Sequence, residues 1–372
     1  MTGRLVRLLL GCVMLLATAA VSLAQPETPR LNHPRQVFVE LDSADGSDRL
    51  IFLDMITGAS NSVAVNGERF TLLENGVMFY DPSARRVRIA AADGSVNDHP
   101  FIQPAEGARR IDWLVSPDRQ AVAWTITRGT PTALRTSTYI ARISGDGTRL
   151  VLEDGPHDGI RAFPVAFNTE KTVLYMDYQP DTIADFTPFR QYAALFSLDL
   201  TTLDTRSLPG EAGCFCGAAL GGGRFLRLAL PREGAGFDLR VIDLGTLAQQ
   251  VIRPLALQNP DYGEYTQSGD MLLSPDGTRA VYALARIRGF GSPEGLFETI
   301  FVMVDLISMR QTPITEPTVQ MLHPVAWTED SGAILFTSLR ESGTWKVNAE
   351  GGSLQQIAAA SYLGTLLPER ED

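Results

Sequence analysis

The sequence predicts an all-β fold, a single β-propeller of four-stranded antiparallel blades, seven in number, with six as the alternative. Three observations predict it. A short phrase, a polar turn followed by an alternating apolar run, recurs along the chain. The recurrences are evenly spaced. No stretch between them carries a helical period.

The phrase is clearest in SPDGTRAVYA, Ser274 to Ala283. Aligned on the apolar residue before the turn, it reads LVSPDRQAVAW, AFNTEKTVLYM, LLSPDGTRAVY and AWTEDSGAILF, with anchors Val115, Phe167, Leu273 and Trp327. These anchors are separated by 52, 106 and 54 residues. The double interval places a unit near position 220, where ALGGGRFLRLAL has Leu220 at the anchor and glycines for Ser-Pro-Asp. A shorter unit, LLENGVMFYD, is anchored at Leu73. Asp118, Glu170, Asp276 and Asp330 keep one turn position acidic. Proline presets φ in such a turn, Ser and Asp bond locally, and glycine tolerates the exit. Each copy is therefore a hairpin joining the first two strands of a unit.

A second anchor follows. Asp54, Asp199, Asp243 and Asp305 close a third strand, and Ser144 and Asn348 are looser counterparts. A fourth strand comes next: LVLED, TRSLP, QQVIRP, QTPIT and LQQIAA. These residues, S-P-D-G before an apolar strand and then apolar-x-x-[DN]-x-x-G, resemble the TolB-type, WD40-like propeller repeat. The resemblance spans roughly 36 to 358 and implies fold rather than function. The stretch at 36 to 65 supplies three strands without an innermost one, and SYLGTLL, Ser361 to Leu367, is a spare. A ring leaves no open edge if that strand joins the first sheet. The propeller is thus placed at 36–367, with 368–372 as a tail.

The first 24 residues read as a secretory signal peptide. Arg4 and Arg7 form a basic start, Leu8 to Val21 an apolar run, and Ser22-Leu23-Ala24 a small-x-small site. An uncleaved anchor or a lipidated Cys12 are the alternatives. Residues 25–35, with three prolines, read as a linker. Cleavage removes two arginines and no acid, so the formal charge moves from −11 to −13. So acidic a chain is a poor partner for nucleic acid. The expected setting is periplasmic or extracellular, as a monomer with no transmembrane segment after cleavage. The expected partner is a protein or small ligand of the envelope or the exterior. Cys214 and Cys216 either form a disulfide or remain two packed thiols.

The search for chemistry finds no G-x-S-x-G elbow and no H-x-x-H or H-E-x-x-H. Asp42 to Asp48 lacks calcium-loop spacing, and Arg340 stands where a sialidase Asp-box needs its acid. No cofactor and no metal are expected. His33, His99, His157 and His323 are few and scattered. The expectation is therefore a non-catalytic binding propeller. The alternative is a propeller hydrolase or lyase with its site at the central channel. Binding is expected on the rim carrying long loops at 128–137, 178–191, 257–270 and 287–298. The residues singled out there are Tyr178, Phe186, Phe189, Arg190, Tyr262, Tyr265, Phe290 and Phe297.

Overall fold

The computed structural model describes residues 31–41, 46–183, 187–210, 216–230, 235–258, 260–289, 295–338 and 340–368. The expected signal peptide, most of the linker and tail, Phe186, Cys214, Phe290 and most of the Asp42–Asp48 turn lie outside them.

Seven four-stranded sheets, all antiparallel, make the seven-bladed propeller that the repeat predicts. The innermost strands of blades 2 to 7 are Glu68–Leu72, Ala108–Val115, Ile160–Phe167, Ala218–Gly221, Gln267–Leu273 and Leu322–Trp327. Blade 1 takes its innermost strand from the C-terminus. Ser361–Leu366 pairs antiparallel with Arg35–Glu40, from Arg35↔Leu366 to Val39↔Ser361. Two 3₁₀ turns, Leu255–Leu257 and Pro260–Tyr262, lie between blades 5 and 6.

The repeated phrase works as a side-chain-locked turn. Ser274 Oγ donates to Asp276 Oδ1 at 2.6 Å and accepts from the Arg279 amide at 2.9 Å. Ser116 does the same with Asp118 and Ala121, and Thr328 with Asp330 and Ala333. Asn168 substitutes its carboxamide, accepting from Thr172 and Val173. One residue of each turn, Arg119, Lys171, Gly277 or Ser331, has φ between +54° and +68°. The third-strand aspartates are Asx caps. Asp54, Asp199, Asp243 and Asp305 each accept from the amides two and three residues on. Those bonds favour the ionised form and hold all four carboxyls below their ordinary range.

Neighbouring blades pack face to face, so their middle strands are buried on both sides. Arg279–Arg288 is covered from Ala280 to Ala285. Apolar clusters fill six of the seven seams, from blades 1 and 2 round to blades 6 and 7. Among the described residues no cluster of buried apolar side chains fills the seventh seam, between blades 7 and 1, and hydrogen bonds cross it. The Gly343 amide donates to Ser361 Oγ at 3.1 Å, Thr344 Oγ1 to the Ala360 carbonyl at 2.7 Å, and the Leu41 amide to Ser342 Oγ at 2.5 Å.

The closing strand crosses tightly over blade 2. Gly364 has φ +140°, and a Cβ there would lie 2.4 Å from Leu72 Cδ1. Truncation after Ala360 exposes the edge of Arg35–Glu40, and Gly364→Val pushes the strand off Leu72. Both variants are expected to lose cooperative unfolding or melt well below the parent in calorimetry. A truncated chain that melts like the full one would show that closure lies elsewhere.

Candidate functional site

In each blade the innermost strand begins on the rim that carries the blade-to-blade connections and the loops between strands two and three. Its first residues therefore line one mouth of the central channel. Polar and charged residues gather there, where a strand interior is usually apolar. They form two groups.

The first group centres on Asp112 of blade 3. Arg161, from the innermost strand of blade 4, donates to its Oδ2 at 2.6 Å. Arg110 donates Nε to both oxygens at 2.9 and 3.1 Å. Arg69 of blade 2 stands 3.4 Å from Oδ1 and donates to the Ile111 carbonyl. Burial pushes the Asp112 carboxyl up, but the three guanidiniums outweigh it and hold the group below its ordinary range. Asp181 extends the network to Arg161 Nε at 3.1 Å and Arg109 at 3.3 Å. The Arg69 guanidinium lies 4.6 Å from the Trp113 ring centre and 5.4 Å from that of Tyr80.

The second group centres on Asp270 of blade 6. His323, from the innermost strand of blade 7, meets Asp270 Oδ2 through Nδ1 at 2.5 Å. Asp270 Oδ1 accepts from the Arg190 amide at 2.8 Å and lies 3.6 Å from Arg190 Nε. With a carboxylate at Nδ1, the neutral ring carries its proton there and leaves Nε2 as the free base. Nε2 is buried, with no hydrogen-bond partner among the described residues.

Backbone strain marks both groups. Nine described non-glycine residues have positive φ. Seven lie between strands; Arg69 at +57° and Asp270 at +53° lie within them. Both sit at β-bulges, between Glu68 and Thr71 and between Gly269 and Leu272. A bulge re-aims a side chain at a cost that the surrounding structure must hold, roughly 1–3 kcal/mol for such a conformation.

The blade 4 loop changes the expected picture of the rim. Its described part, 187–193, passes the short innermost strand of blade 5 and docks on blade 6. The Asp270 amide donates to the Arg190 carbonyl at 3.1 Å, and Gln191 Nε2 to the Ser268 carbonyl at 2.9 Å. Phe189, 5% exposed, enters the core between blades 6 and 7, its ring centre 5.9 Å from that of His323. Gly269 makes room, since a Cβ there would meet Phe189 Cβ at 2.3 Å.

The remaining rim residues are also packed. Tyr178 lies in a strand, its ring 4.8 Å from Phe196 and its hydroxyl donating to Asp154 at 3.1 Å. Tyr265, 5% exposed, and the half-buried Tyr262 join the core of blades 5 and 6. Burial first, then nearby acids, push the Tyr178 and Tyr265 hydroxyls up to about 12. Phe297 pairs with Ile287 in a strand and packs on the core. Arg190 alone of the described set is well exposed. The expected loop at 128–137 is instead two ten-residue strands, Ala121–Thr130 and Ala133–Arg142. Its extra residues lengthen the sheet. Cys216 is disulfide-bonded, and its partner lies outside the described residues. No group of three metal-ligating side chains occurs among the described residues. No described helix is long and apolar enough to cross a membrane.

No family model matches the sequence, and no curated protein does. Solved structures do. A prolyl endopeptidase is similar over 87% of this chain and 47% of its own, at 11% identity and a TM-score of 0.58. TolB from Acinetobacter baumannii is similar over 77% of this chain and 64% of its own, at 12% identity and a TM-score of 0.42. An oligogalacturonate lyase from Vibrio parahaemolyticus is similar over 87% of this chain and 85% of its own, at 9% identity and a TM-score of 0.49. At such identities the likeness is one of fold, and the TolB-like resemblance of the repeat holds at that level. The chain spans about half the length of the prolyl endopeptidase it matches.

The non-catalytic expectation is corrected by these findings. The fold is shared with a prolyl endopeptidase. The scattered histidines had argued against a catalytic axis, yet ring closure brings His323 onto Asp270, 53 residues away.

The far end of the loop supplies a test. Asp177 accepts from the Ala193 and Ala194 amides at 3.1 and 2.8 Å. Burial nevertheless raises its carboxyl to about 6 from an ordinary 3.8. The native state holds this proton more tightly than the unfolded chain does. Its contribution is full below about pH 4 and lost as pH rises through about 6. Asp177→Asn keeps an acceptor for the amides without the charge. Melting curves from pH 4 to 8 should show the variant more stable above pH 6, by roughly 3 kcal/mol, with that pH slope removed.

Proposed function

We propose that the chain is an enzyme of the lyase or hydrolase class, with its site at the loop-bearing mouth of the central channel. The observation that carries this is Asp270, held at φ +53° inside a strand, where it grips His323 Nδ1 and leaves Nε2 without a partner among the described residues. His323 is the general acid–base group. It takes a proton at Nε2, from water in hydrolysis or from carbon in elimination. Asp270 keeps the tautomer and stabilises the imidazolium that forms. Arg190 places a positive charge beside the pair, where negative charge develops on the substrate. The Phe189 ring packs beside His323 in a T-shaped contact.

His323→Gln tests the reading. Wild type and variant are incubated with a panel of acidic oligosaccharides, esters and peptides, and products are read by mass spectrometry. Turnover by the wild type, reduced about 10²- to 10⁴-fold in a variant with an unchanged melting point, is the expected result. Equal turnover by both, or none by the wild type across the panel, would remove it.

Export is part of the same proposal, on the strength of the first 24 residues. Sequencing of the mature protein should begin at Gln25. A mature end at a lipidated Cys12 would replace a free protein with an anchored one.

A further inference from the structure

The Asp112 group borders a cavity that the acid–base site does not use. It has a volume of about 1120 Å³ and opens on the same rim, between blades 2 and 3. Four arginines line it, Arg69, Arg85, Arg109 and Arg110, together with Tyr80 and the acids Glu68, Glu106 and Asp181.

The arginines are not equally engaged. Arg110 gives Nε to Asp112, and its terminal amino groups have no partner among the described residues. Arg109 holds Asp181 through one amino group and is part exposed. Arg85 is exposed and, among the described residues, has neither an ion-pair nor a hydrogen-bond partner. Arg69 is fixed between Trp113 and Tyr80, and its strained backbone sets it at the cavity edge. Counting the buried Arg161–Asp112 pair behind the wall, five guanidiniums face four carboxylates. The surplus is one positive charge, in a chain whose formal charge is −11.

We propose that this cavity is a subsite for a monoanionic carboxylate, held by Arg85 and Arg110 with Arg109 beside them. Guanidinium can pair carboxylate through parallel hydrogen bonds, and Arg110 spends only its Nε on Asp112, shared between both carboxylate oxygens. A surplus of one charge suits a carboxylate better than a phosphate dianion, and Glu68 and Glu106 at the rim oppose a second negative charge. The cavity shares its rim with the His323 site, and Asp181 and Arg190 bound one loop between them. The carboxylate is therefore part of the substrate, an assignment that rests on the catalytic reading above.

The test uses trifluoroacetate as probe, followed by fluorine NMR on the full-length protein at constant ionic strength. Trifluoroacetamide is the neutral counterpart. The expected result is binding of trifluoroacetate alone, displaced by acetate and less effectively by inorganic phosphate. Arg85→Ala, at an exposed side chain with no hydrogen-bond or ion-pair partner among the described residues, should weaken binding about tenfold, and Arg110→Ala at least as much. Arg206→Ala, on the outer strand of blade 4, should change nothing. Equal binding of the neutral probe, tighter binding of phosphate, or an unchanged Arg85→Ala would overturn the subsite. The two readings fail separately. His323→Gln with normal turnover removes the acid–base assignment and leaves trifluoroacetate binding intact. Loss of the probe's binding site with turnover of neutral substrates retained removes only the subsite.

Discussion

The antiparallel pairing of Ser361–Leu366 with Arg35–Glu40 is the contact on which the remainder of the molecule depends. A propeller has no single core. Each seam is held only by its two neighbours, and an open ring would leave one blade with a bare edge strand. Six seams are apolar and follow from local sequence. The seventh is crossed by the Leu41–Ser342 hydrogen bond, between residues 301 apart, and by short-range bonds of Gly343 to Ser361 and Thr344 to Ala360. On the opposite mouth Arg119 of blade 3 donates to the Thr365 carbonyl at 2.8 Å, tying the closing strand across blade 2.

With the ring shut, one device appears twice on the upper mouth. A carboxylate on one innermost strand is met by a basic side chain from the innermost strand of the next blade. Asp112 meets Arg161, and Asp270 meets His323. At Asp112 further arginines more than satisfy the carboxylate, and the excess faces a cavity. At Asp270 the partner is a histidine, whose second nitrogen is left over. Paired burial thus serves structure in both places, and the difference between guanidinium and imidazole separates anion binding from proton transfer.

The loop of blade 4 shows why aromatic content on a rim was a poor guide. Phe189, Tyr262 and Tyr265 had the composition of an interface, but each found a seam to fill. The innermost strand of blade 5 has only four residues, and this gap lets the loop reach Gly269 of blade 6. Nothing in the loop's own sequence states that a glycine waits opposite.

The blade count, the turns and the closing strand were legible because each follows from local chemistry repeated at a fixed interval. Ser or Thr before Asp locks a turn wherever it occurs, and a third-strand Asp caps whatever follows it. Part of the site was present in the same register. Arg69 and His323 stand four residues before their anchors, Leu73 and Trp327; Asp112 and Asp270 stand three before Val115 and Leu273. Charged residues there, in a strand otherwise apolar, were the available signal. Pairing was not available. Which carboxylate meets which basic side chain depends on the rotation from blade to blade and on bulges that turn Arg69 and Asp270 out of register. By itself the sequence determined the repeating unit, its number and its end-to-end closure, because those are set by neighbours along the chain. The tertiary structure alone decided which side chains share the channel mouth, because a closed ring brings together residues whose separation along the chain carries no trace of the contact.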